Sequence, residues 1–331
     1  MRKATRMQAI VRTLAAAAAV STLLRASPAS AISGTFRSWV AKTGSDTANN
    51  TCAITAPCRT LQHAHDVTVG GGEVSVLTPG DYGPLTVNRA IAVANDGVGE
   101  ANTTAILIEA GSGDTVGLRG LIIDGLGGGG VGIALAKGAA LHVQNCVIRN
   151  FNGNSAIGIN METMSHSKVF VSDTLVVNNG SGVANGATGG ILVFAGAGAS
   201  ADVVLNRVRL ENNDSGLVVS TSVDSFLGVG PSRVVVRDSV ISGNANHGIW
   251  ATAGEVPAFI FVHRSSSVGN GGTGVLAEGA GATVLIGKDT VARNGTGIAA
   301  QTGGQIISYS DNEIDNNVGA DGAPTALISP R

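Results

Sequence analysis

One residue recurs along this chain at intervals that close on a fixed value. Asn179, Asn213, Asn244, Asn270, Asn294 and Asn317 stand 34, 31, 26, 24 and 23 residues apart. Each ends a copy of one pattern: alternating aliphatics, a turn, a small or hydroxyl residue, an aliphatic, then asparagine. The clearest copies are Leu141 to Asn150, Val169 to Asn179, Val203 to Asn213 and Val234 to Asn244. Looser copies follow at 260–270, 284–294 and 307–317. A glycine–aliphatic pair comes after, as Gly216-Leu217, Gly248-Ile249, Gly274-Val275 and Gly297-Ile298. A floor of 23 residues is the length of one winding built from three short strands and their turns. The pattern predicts an all-β, parallel β-helix solenoid in which each strand pairs with its equivalent one coil away.

Composition agrees where it bears on this. Glycine accounts for 48 of 331 residues, aromatics for 3%, and 44% of the chain is hydrophobic. Helical bundles avoid so much glycine, and disordered chains lack the aliphatics. Stacked Val, Ile and Leu can fill a thin core without aromatics. Asparagine is expected in the turns because it tolerates left-handed φ and because its amide can bond the amide one coil away. Glycine is expected to supply the other positions with φ above zero.

The start of the chain reads differently. Arg2, Lys3, Arg6 and Arg12 precede an apolar run from Thr13 to Leu24, and Ala29-Ser30-Ala31 has the form of a cleavage site. Residues 1–31 are expected to be a secretory signal peptide cleaved after Ala31, placing the protein outside the cytoplasm, in the periplasm or at the cell surface. Cleavage removes five positive charges and takes the net charge from −2 to −7. An acidic chain is a poor partner for nucleic acid, and no later segment is long and apolar enough to cross a membrane. Cys52 and Cys58 can close a small disulfide loop in an oxidising compartment. Cys146 is expected to be buried and free. Thr60 to Val67 predicts a short amphipathic helix with Thr60 as N-cap, covering the open first coil. The resulting division is a cap segment at 32–70, the solenoid at 71–320 and a tail at 321–331.

The opening motifs carry a resemblance. Trp39-Val40, Gly44, Asp46, Ala56-Pro57-Cys58-Arg59-Thr60-Leu61, Gly72-Glu73-Val74-Ser75-Val76 and Pro79-Gly80-Asp81-Tyr82-Gly83 resemble the start of exported bacterial proteins of the pectin-lyase-like superfamily. The resemblance covers residues 35–320 and implies a right-handed parallel β-helix with a short N-terminal capping helix. It implies no single activity, because lyases, hydrolases, epimerases, phage spikes and adhesins share the fold. The galacturonan hydrolases of that group imply Asn-Thr-Asp, Gly-His-Gly and Arg-Ile-Lys strings, and none is present. Its pectate lyases imply clustered calcium-binding acids beside an arginine base, and no compact acidic cluster stands out.

Two sets of residues are candidates for function. The fifth position of successive copies holds Asn145, Asp173, Arg207, Asp238, Arg264, Lys288 and Asp311. Asp173, Arg207, Asp238 and Arg264 alternate in sign and form either a register-fixing charge ladder or a carbohydrate-binding or catalytic strip, with Asp173 and Asp238 as acids flanking Arg207. Coils lengthen between residues 150 and 232, and loops on rigid scaffolds host sites. Glu162, His166, Asp224, Phe226 and Trp250 are the candidate groove residues there. The six histidines show no metal-ligand spacing, so no metal or cofactor is expected, and His63 and His65 are assigned to the cap surface. The reading is an exported β-helix that binds polysaccharide without catalysis. The alternative is a polysaccharide lyase or glycoside hydrolase with a divergent site in the 150–232 groove.

Overall fold

The computed structural model describes residues 34–181, 188–222 and 229–329; the expected leader, Asp224 and Phe226 lie outside them. The described chain winds as a right-handed parallel β-helix with three sheets. Sheet A has twelve strands, running from Thr35–Val40 to Ala326–Leu327. Sheet B has ten short strands such as Val147–Arg149 and Leu175–Val177, and sheet C has ten, including Ile157–Thr163 and Ile249–Ala253. The order within a coil is A, B, C.

Each inward position is a column. In sheet A, Leu118, Val143, Val171, Leu205, Val236, Val262 and Ile286 stack in register. In sheet C, Ile159, Ile191, Leu217, Ile249, Val275 and Ile298 do the same. All are buried, and each contributes roughly 1.5–3 kcal/mol. The sheet B column contains a hydroxyl, Ser267, which is tolerated because it donates to the Gly274 carbonyl and accepts from Asn270 Nδ2.

The asparagines superpose at the turn from sheet B to sheet C. Asn179, Asn244, Asn270 and Asn294 each donate Nδ2 to the next Oδ1 at 2.8–3.0 Å. Asn213 sends Nδ2 to the Val176 carbonyl, while its backbone N–H, like those of the other four, donates to the next Oδ1. The expected left-handed backbone is not at the ladder asparagines. It falls one residue earlier, at Asn178, Asn212 and Asn316 with φ of 57°, 51° and 59°. The division is physical: one residue reverses the chain, and the next points its amide inward.

The glycine–aliphatic pairs also differ from expectation. Gly216, Gly248, Gly274 and Gly297 are not among the residues with positive φ. They are glycine for want of space. A Cβ at Gly248 would lie 2.2 Å from Ser267 Oγ and 2.6 Å from the Gly274 carbonyl oxygen, and those at the other three meet comparable obstacles.

Leu61–Val67 forms the single helix of the described chain, α1. Thr60 Oγ1 accepts from the His63 N–H at 3.2 Å and donates to Asp46 Oδ2 at 2.8 Å. The helix packs on Thr35–Val40, Thr68–Val76 and Leu85–Val87. His65 is a correction: it is buried, not on the cap surface. It stands four residues after Leu61 and so shares the apolar face with Leu61 and Ala64. Burial pushes its imidazole below the usual range. Thr35–Val40 is a strand of sheet A lying inside the segment assigned to the cap, and Ala326–Leu327 in the tail pairs with Gln305–Ser308.

Candidate binding surface

The charge column sits at the tight turn from sheet A to sheet B. Asn145, Asp173, Arg207, Asp238, Arg264 and Lys288 are all left-handed there, with φ between 50° and 58°. Ser310, at φ 65°, takes the position expected for Asp311, because the chain carries one extra residue before Glu313. Asp311 instead accepts the Lys288 N–H. Arg207 makes paired bonds of 2.6 and 2.8 Å to Asp173, and Arg264 makes paired bonds of 2.8 Å to Asp238. No ion pair joins Arg207 to Asp238, so the column is two separate forks. The Arg207 and Arg264 guanidinium groups hold Asp173 and Asp238 below the usual carboxylate range. A carboxyl held ionised is unsuited to act as a general acid.

The groove residues do not converge. Glu162 and Trp250 both lie on the outer side of sheet C but in different columns, with two strands between theirs. Asn160 Nδ2 donates to Glu162, and Trp250 Nε1 donates to Glu278. His166 opens a strand of sheet A, on a different face, with Nδ1 2.9 Å from Ser200 Oγ. Every described carboxylate between residues 150 and 232 has a partner: Glu162, Asp173, Asp202 with Arg233, Glu211 with Arg209, and Asp214 with Ser181 and Thr188.

The aromatic residues lead elsewhere. Trp39, Phe170, Phe259, Phe261 and Tyr309 all stand on the outer face of sheet A, five of the eleven in the chain. An outward column runs His142, Phe170, Val204, Val235, Phe261, Leu285, Ile307. His142 and Phe170 stack with centroids 4.8 Å apart and planes 14° from parallel. Beside them runs a polar column of Gln144, Ser172, Asn206, Arg237 and His263. Gly287 continues it as a dimple, and the Tyr309 ring lies where a Cβ would be. Phe261 meets Tyr309 edge-on at 6.3 Å and His263 at 5.7 Å.

Burial, then Arg264, Arg237 and Lys288, push His263 below the usual histidine range. Its Nδ1 is shielded and has no hydrogen-bond partner among the described residues. Toward the N-terminus the same face dips into a trough of about 180 Å³, with Ala92, Ala94 and Gly117 among the residues lining it beside Glu73, Arg119, His142 and Gln144. Reading one strand at a time does not reveal this face. Its signal is the alternation Phe259, Phe261, His263, which becomes a surface once the strands are placed in register.

Cys52 and Cys58 form a disulfide, and Cys146 is free and buried. Among the described residues, Cys52, Cys58 and His63 bring ligand atoms within 4.8 Å of one another. The two sulfurs are spent on each other, and His63 Nε2 meets the Asn49 carbonyl at 2.7 Å. No described helix is long and apolar enough to cross a membrane.

A winding of stacked parallel strands in three sheets defines a right-handed parallel β-helix protein. Residues 104–284 match the family model of the right handed beta helix region, over half of the chain, and the protein belongs to that family. Among solved structures it is similar to pectate lyase Pel9A, at 17% identity and a TM-score of 0.59 over 89% of this chain and 80% of that one. At that identity the likeness speaks for the fold. No match was found among curated proteins.

Proposed function

We propose that this is an exported β-helix that binds extracellular or cell-surface polysaccharide along the outer face of sheet A, without cleaving it. The observation that carries the reading is the placement of the scarce aromatic side chains. The core is mainly aliphatic, with Tyr82 and Phe151 its buried aromatics, yet Trp39, Phe170, Phe259, Phe261 and Tyr309 share one outer face with Arg119, Gln144, Asn206 and Arg237. Aromatic faces accept the polarised C–H groups of sugar rings, and the amides and guanidinium groups between them suit hydroxyls and carboxylates. Twelve strands about 4.8 Å apart give a track of roughly 50 Å, a length suited to a polymer. The lyase or hydrolase alternative is less well supported, because each described carboxylate of the 150–232 groove is already engaged.

The test is affinity electrophoresis against uronic-acid and neutral polysaccharides, with and without calcium, paired with assays for reducing ends and unsaturated products. Retardation without turnover is expected. Phe261→Ala and Tyr309→Ala should each weaken it roughly tenfold, as loss of an aromatic contact does. New reducing ends or unsaturated products would refute the non-catalytic reading.

A further inference from the structure

A second concavity lies on sheet B, away from the face just described. It encloses about 380 Å³ and is lined by Asp81, Asn102, Thr104, Asp124, Leu126 and Arg149. Arg149 Nε donates to Asp124 Oδ2 at 2.7 Å, and Asp124 Oδ1 accepts from the Leu126 N–H and Asn150 Nδ2. Burial works to raise the Asp124 carboxyl, but these donors outweigh it and hold the group below the usual range. Arg149 is thereby fixed, and its two terminal nitrogens have no acceptor among the described residues.

Across the cleft, Asp81 Oδ1 accepts Asn102 Nδ2 at 3.0 Å. Asn102 Oδ1 is shielded from solvent and unpartnered. Leu126 completes the rim. Its φ is 52°, and 78% of the residue is exposed. A left-handed leucine costs roughly 1–2 kcal/mol, and here it gains almost nothing from burial. The arrangement sets an apolar lip against fixed donors and acceptors, the combination that holds a small polar ligand by one apolar face and its hydroxyls. One guanidinium and two carboxylates leave no positive excess to favour an anion.

We propose that this cleft binds a single neutral hexose unit. Arg149 donates to its oxygens, Asp81 accepts from its hydroxyls, and Leu126 covers a C–H face. The site is on another sheet and does not depend on the sheet A reading.

Saturation-transfer NMR and calorimetry with the methyl glycosides of glucose, galactose and mannose test it, with methyl galacturonoside as the anionic comparator. At least one neutral glycoside should bind, and the uronoside more weakly. Leu126→Gly and Asp81→Asn should each weaken binding roughly tenfold, the cost of one lost contact or hydrogen bond. Glycine suits φ 52°, so the Leu126→Gly variant should keep or raise its thermal midpoint, which separates lost binding from lost fold. Phe261→Ala should leave glycoside affinity unchanged, so the two sites can fail independently. Binding by no neutral glycoside, binding of the uronoside alone, or affinity unmoved by both cleft variants would overturn the proposal.

Discussion

Asp289 stands where three other coils carry serine or threonine, Thr174, Ser239 and Ser265. Its carboxylate accepts the Ser265 and Gly287 N–H groups at 2.8 and 2.9 Å. It is nevertheless almost wholly buried, with Asp311 close by, and burial pushes the carboxyl up to about 7. A carboxyl raised in the fold keeps its proton where the unfolded chain has lost its own. Its contribution to stability is complete below about pH 4 and is lost as pH rises through about 7. The carboxyls held low, Asp46, Asp124, Asp173, Asp238 and Asp321, act below that window. His65, His247 and His263 are held low and act against Asp289 inside it. The difference between proteins is therefore the clean measure. Relative to Asp289→Ser, the wild-type chain should lose a few kcal/mol between pH 4 and 8, read from denaturant midpoints across that range. Parallel pH profiles for the two proteins would remove this account of the group.

The turn from sheet A to sheet B is a second ladder, built on hydroxyls. Thr174 Oγ1 accepts the Cys146 N–H, Ser239 Oγ the Val208 N–H, Ser265 Oγ the Ser239 N–H, and Asn312 Oδ1 the Asp289 N–H. Each of the three hydroxyls also donates to a carbonyl two residues back. One rung is missing, because Val208 has no oxygen to offer Thr174. Threonine matches valine in shape and would supply it. Val208→Thr should stabilise the protein by about 1 kcal/mol, seen as a higher urea midpoint with an unchanged slope; a lower midpoint would show that the buried hydroxyl costs more than the rung returns. The small or hydroxyl position was legible in the repeat, but its use was not. The asparagine ladder was legible because one residue type does one task at every coil. The hydroxyl ladder mixes Thr, Val, Ser, Asp and Asn, so identity does not repeat though geometry does. The same reasoning explains the glycines: sequence shows that glycine recurs at Gly216, Gly248, Gly274 and Gly297, and coordinates are needed to tell lack of space from reversed φ.

Within the described winding the contacts are nearly one-dimensional, since each coil touches mainly the coils above and below. That made the winding readable from period alone. It left the outer faces unreadable, because the residues there answer to ligands and solvent and follow no period. It also makes the two ends different in kind from the middle. The first coil is closed by α1, whose Thr60 cap and Leu61, Ala64 and His65 face settle it on three strands. At the far end the asparagine ladder must stop without exposing a donor pair, and the chain does this itself. Asn317 sends both its N–H and its Nδ2 to Asp321 Oδ1, at 3.1 and 2.8 Å. The following residues run parallel to Thr296–Gln301, where Gly297 and Ile298 donate to the carbonyls of Ala320 and Asp321. Asp321 therefore acts as the final rung and as the anchor of the tail. In a stack with nearest-neighbour coupling, loosening one end raises the opening of that end and leaves distant coils as they were. Asp321→Ala should speed amide exchange roughly five- to tenfold at Thr290–Ala292 and Thr296–Gln301. Exchange at His166–Ser172 should not change. Exchange that rises equally in both regions would mean that the coils open together, and that the period seen in the sequence does not mark out separable units of stability.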